Sequence, residues 1–189
     1  MPRGMPDARS VETVTLEAFA DTILPGTKRA PEDVTIAGRS HDAGAVEAGA
    51  LELLRTPATG VTSGLGEFVE LLNEHAEHHA QLCEVTLVGD HPPFVELPFE
   101  ERTRLVRALT APGHPEKEFW VMLALFCNMA YDSAAHLSTP VAIKNGHPGL
   151  RAMGFAAPDA DGLLRFAEYS YGRPLARLHP DTNSTGSLA

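Results

Sequence analysis

The stretch Glu116-Lys-Glu-Phe-Trp-Val-Met-Leu-Ala-Leu-Phe-Cys-Asn-Met-Ala-Tyr-Asp-Ser-Ala-Ala-His-Leu137 is apolar on almost every side between Phe119 and Tyr131. A helix that is hydrophobic all round normally lies at the centre of a fold. The pattern therefore predicts a central helix over 116–137, with the rest of the chain packed around it. Its apolar run, Phe119 to Ala130, is far shorter than the ~20 residues a membrane span needs, so no membrane partner is expected. Toward the end, Asn128, Asp132 and His136 recur at i, i+4 and i+8, a polar stripe leading out of the core.

Working outward, Leu16, Phe19, Ala20, Ile23 and Leu24 make the stripe of a half-buried helix. Thr13 or Thr15 would cap it and Pro25-Gly26 would stop it. Residues 27–42 read as a polar surface loop. A second helix is predicted over 43–55, where Gly44 and Gly49 weaken the helix but let another backbone come close. In a third, Leu65 to about Glu84, the residues Leu65, Phe68, Leu72, Leu82 and Cys83 share one arc and the acids take the opposite one. His79 projects from the apolar arc, His75 lies beside it and His78 sits at the boundary. Residues 85–97 read as loop, 99–110 as a fourth helix, 139–157 as irregular and 161–169 as a last short helix. The fold class is all-α: one irregular bundle of about five or six helices, a single domain over 1–180, followed by a flexible tail at 181–189.

The 189 residues carry 25 acids against 15 bases, a net charge of −10. That balance argues against nucleic acid, which needs concentrated Lys and Arg. Cys83 and Cys127 are too few for a disulfide framework or a zinc finger and read as two small buried hydrophobes. The first ten residues hold bases but no apolar stretch, so no signal peptide is expected, and the location expected is cytoplasmic.

Two groupings carry possible chemistry. His75 and His79 at i, i+4 have the spacing that lets two imidazoles share a metal, and Asp132 and His136 repeat it. If the two helices are neighbours, the four side chains would form a bundle-core site. The competing reading keeps His75 and His79 as hydrogen-bonded core residues. Asp132 could also orient His136 for proton transfer, though no Ser or Cys nucleophile is marked beside them. Asp159 and Asp161 resemble a calcium loop for four residues only, and read as helix caps. The absence of a Gly-x-Gly-x-x-Gly turn after a strand leaves no dinucleotide site of the usual kind, so no cofactor of its own is expected.

Thr15-Leu-Glu-Ala-Phe-Ala-Asp-Thr-Ile-Leu-Pro-Gly26 resembles the opening of the gluconate 2-dehydrogenase subunit 3 family. Ala43 to Ala50 falls where that family has a small-residue segment. Gly146 to Gly154, with Tyr169 to Pro174, is similar to a related actinobacterial branch. The resemblance covers both ends of the chain. It implies a small helical subunit, not itself catalytic, that assists a larger flavin-dependent oxidoreductase of the glucose–methanol–choline type, with FAD held by that partner. The family's export signal has no counterpart here, which implies a cytoplasmic complex. The Gly-rich second helix and the 139–157 segment are the expected contact elements. The alternative is a stand-alone helical enzyme or small-molecule-binding protein using His75, His79, Asp132 and His136.

Overall fold

A computed structural model describes residues 8–27, 33–38 and 40–155. The predicted helix at 161–169, the tail, and Asp159 and Asp161 lie outside them. The fold is all-α. Among the described residues the regular elements are α1 (Ala8–Ile23), α2 (Ala50–Leu54), α3 (Leu65–Leu82), α4 (Pro93–Glu96), α5 (Phe99–Leu109), α6 (Lys117–Ser133), α7 (Thr139–Lys144) and α8 (Pro148–Ala152), with single 3-10 turns at Pro57–Thr59 and Thr62–Gly64. None is long and apolar enough to cross a membrane.

The apolar helix expected at the centre, α6, packs against α1, α2, α5 and α8 through the fully buried Trp120, Leu123, Cys127 and Ala130, and α1 is a second hub. It touches α2, α3, α4, α5 and α6. Leu16, Phe19, Ala20 and Ile23 are buried as predicted, but so are Thr15, Ala18 and Thr22 on the flanks. Small and β-branched side chains there let neighbours close in from several sides. The Thr22 hydroxyl donates to the Ala18 carbonyl at 2.7 Å, so its burial leaves no unpaired polar group. Because α1 already begins at Ala8, Thr13 and Thr15 lie inside it and cap nothing. Phe19 meets Phe94 and Trp120 at ring-centroid distances of 6.3 and 6.4 Å, which ties α1 to α4 and α6. Asn73 adds a polar tie: its side-chain amide donates to the Val69 carbonyl at 2.9 Å and its oxygen accepts from the Phe94 N–H at 3.0 Å.

In α6 only Trp120, Leu123, Cys127 and Ala130 are buried, a narrow seam at steps of three and four. That seam packs most extensively on α2. Phe119, Val121 and Leu125 remain 50 %, 40 % and 53 % exposed. The all-round apolar sequence thus marks a central helix that still leaves part of its circumference uncovered.

The second helix is only five residues long. Gly49 takes φ 90°, which ends any helix before Ala50 and leaves Gly44 and Gly49 in turns. The close approach expected of these glycines does occur. A Cβ on Gly44 would stand 2.5 Å from the Gly26 nitrogen, and one on Gly49 would stand 2.4 Å from the His136 ring. The described part of the segment expected to be irregular, 139–155, folds into α7 and α8, each with proline in its first turn. It is clamped to the end of α6, where a Cβ on Gly149 would meet the Tyr131 carbonyl oxygen at 1.8 Å. Gly44, Gly49 and Gly149 in the two expected contact elements are thus packed against the chain itself. Between α3 and α4, the Glu96 carboxylate accepts from the backbone N–H groups of Val88, Gly89, Asp90 and His91 at 2.6–3.0 Å, which orders a stretch with no regular structure.

Candidate functional site

Glu116 stands at the cap position of α6, where α3 comes alongside. His75 Nε2–H donates to Glu116 Oε2 at 2.8 Å, and Trp120 Nε1–H donates to the same oxygen at 3.0 Å. The His114 ring lies 5.9 Å from that of His75, and its Nδ1 accepts the Glu116 backbone N–H at 3.2 Å. The His75 hydrogen bond holds the Glu116 carboxyl below the usual glutamate range, outweighing partial burial, which acts the other way. An ionised carboxylate thus sits at the edge of a groove of about 460 Å³. Val61, Phe68, Leu71, Phe119 and Met122 line it, and Glu67 is its second acid.

One turn further along α3, His79 faces α5 instead. Residues four apart on a helix are separated by about one turn of rise, so each meets a different neighbour. His79 Nε2–H donates to Glu101 Oε2 at 2.9 Å, and Cys83 Sγ lies 3.6 Å from the same ring nitrogen. The other Glu101 oxygen accepts from Arg104 at 2.6 Å. His79 and Glu101 are mostly covered, while Cys83, just past the end of α3, is exposed rather than buried as expected. Leu82, beside it, is exposed as well. Cys127, on the α6 seam, is buried as predicted, and burial pushes its thiol up to about 12.

Asp132 and His136 do not act on each other. Asp132 accepts from the Asn128 side-chain amide at 2.9 Å, along the outer face of α6. His136 lies beyond the end of α6, its ring against Gly49 and 5.9 Å from the ring of His147. Its Nδ1 is buried and has no hydrogen-bond partner among the described residues. Burial lowers its pKa, the neighbouring His147 adds to that, and Glu52 acts the other way. His147 is almost fully buried: Nε2–H donates to the Ala48 carbonyl at 2.9 Å and Nδ1 accepts the Leu150 N–H at 3.4 Å.

The four predicted residues therefore fall in separate places: His75 with Glu116, His79 with Glu101 and Cys83, Asp132 with Asn128, His136 with His147. Among the described residues, His79, Cys83 and Glu101 are the one group of three possible metal ligands whose donor atoms lie within 4.8 Å of one another. Cys83 was legible, since it stands four residues after His79, the spacing already noted for the histidines. Glu101 and Glu116 come from other helices, and no local spacing signals them.

Residues 10–189 match a family model described as a family of unknown function, DUF5987. The chain belongs to that family. The match takes in α1 from Ser10 onward and all of α2 to α8, so every residue of both clusters lies inside the DUF5987 span. No curated protein and no solved structure matches the chain.

Proposed function

We propose that this protein is a non-catalytic accessory subunit of a larger, cytoplasmic, flavin-dependent oxidoreductase of the glucose–methanol–choline type, which holds the FAD. The observation that carries the docking role is the uncovered apolar pair Val121 and Leu125, one turn apart on the outer face of α6 and 40 % and 53 % exposed. Exposed apolar residues gathered on one element mark interaction surfaces. The groove beside Phe119 would accept an apolar side chain of the partner, and Glu116 and Glu67 at its edge favour a basic residue next to it. The choice of a flavoprotein as partner rests on the resemblance of Thr15 to Gly26, Ala43 to Ala50 and Gly146 to Gly154. By binding only the folded, flavin-loaded form, such a subunit stabilises it by mass action.

Co-expression with a candidate large subunit from the same organism tests this. The expected result is a joint elution peak with more soluble, flavin-containing large subunit, lost in Val121→Asp/Leu125→Asp. Unchanged solubility, flavin content and elution volume of the flavoprotein would sink it.

A second reading, a small-molecule-binding protein, is favoured by the Glu116 groove alone. An ionised carboxylate beside aromatic and aliphatic walls suits a ligand with an apolar body and a cationic head. Alkylamines should then raise the melting temperature of the wild type and not of Glu116→Gln. Equal shifts in both proteins would count against it.

A further inference from the structure

We propose that His79, Cys83 and Glu101 form a binding site for a divalent transition-metal ion of the zinc class, distinct from the docking surface. The donor set is one imidazole nitrogen, one sulfur and one carboxylate oxygen, the mixture that zinc accepts. With zinc bonds of about 2.0–2.1 Å to nitrogen and about 2.3 Å to sulfur, a tetrahedral ion places nitrogen and sulfur about 3.6 Å apart. Cys83 Sγ and His79 Nε2 are 3.6 Å apart before any ion is considered. The same construction puts nitrogen and oxygen about 3.4 Å apart. His79 Nε2 and Glu101 Oε2 are at 2.9 Å, so the carboxylate has to retreat by about half an ångström as the ion replaces the hydrogen-bonded proton.

The surroundings suit this exchange. Arg104 holds the other Glu101 oxygen, which orients the carboxylate and leaves Oε2 for the ion. His79 and Cys83 share one face at the end of α3, and Glu101 comes from the first turn of α5, so an ion would pin two helices together. Cys83 is exposed, which gives the ion an entry path and leaves its fourth position to water. Binding releases the Cys83 thiol proton to solvent and shifts the His79 N–H from Nε2 to Nδ1, so that the neutral ring offers Nε2 to the ion. Affinity therefore rises with pH.

The test is a cobalt(II) titration of tag-free, chelator-treated full-length protein, followed by zinc competition. The expected result is one equivalent of cobalt with a thiolate-to-cobalt charge-transfer band in the near ultraviolet, displaced by zinc. Cys83→Ser should abolish the band, and both Cys83→Ser and Glu101→Gln should weaken zinc by at least about tenfold, the lower end for losing even a ligand-supporting contact. His75→Gln should bind as the wild type does. Because Cys83 is exposed, Cys83→Ser should melt like the metal-free wild type, so its loss of binding is not a loss of fold. No charge-transfer band, or equal zinc affinity in wild type, Cys83→Ser and Glu101→Gln, would overturn the site.

Discussion

Single side chains here are decided by whether a neighbour reaches them. The two cysteines share an apolar sequence context, yet Cys83 is exposed at the end of α3 and Cys127 is sealed in the α6 seam. In native, metal-free protein, one thiol should react promptly with an aromatic disulfide reagent and the second only after denaturation. Reaction of both at similar rates would contradict the seam. Gly49 shows the same dependence on context. Its φ of 90° and the His136 ring 2.4 Å from where a Cβ would stand leave no room for a side chain. Gly49→Ala should destabilise by about 2–4 kcal/mol, from backbone strain plus overpacking, read from denaturant midpoints. The sequence does announce small residues at this place. It does not announce their partner, because His136 comes 87 positions later and belongs to a different element.

Elements follow the same logic. The period of α3 was legible because its acids and apolar residues separate cleanly, and Leu65, Phe68 and Leu72 are buried where the arc puts them. For α6 the sequence lacks that contrast: apolar residues on every side carry no information about which side is covered. The seam of Trp120, Leu123, Cys127 and Ala130 emerges only from packing on α2 and α1. The two faces should respond differently to substitution. Leu123→Ala should cost about 2–5 kcal/mol, whereas Val121→Ser and Leu125→Ser should stay within about 0.5 kcal/mol of wild type. Thermal melts of the three variants check this, and equal losses would mean that the outer face is covered. Short elements were the least legible. Periodicity needs several turns to register, and α2, α4, α7 and α8 span four to six residues each.

At the scale of the whole molecule, three lowered groups among the described residues bear on the response to acid. His136 titrates below its ordinary value, so its contribution to stability is complete above pH 6.5 and is lost as the pH falls through the lowered value. Glu116 and Glu96 are also lowered, the first chiefly by His75 and the second chiefly by the N–H groups of Gly89 and His91. Their contributions are complete above about 4.5 and are lost as the pH falls through their lowered values. Urea midpoints should therefore fall in two stages with acidification. Glu116→Gln should shrink the second stage and leave the first unchanged; an unaltered second stage would show that the His75 pair adds nothing. The all-α class and the central place of α6 were readable in the chain, while the second hub, α1, was not. A half-apolar helix becomes central when small residues let five neighbours reach it, which is a property of those neighbours.

The α1 hub also has a temporal side. In vectorial synthesis α1 is made first, but Trp120, which covers Phe19, follows about a hundred residues later. At roughly 5–20 residues per second, Phe19 and its flanking threonines stay uncovered for many seconds on the ribosome. Among the described helices, α1 precedes the others, yet its Phe19 waits for Trp120 before it is covered.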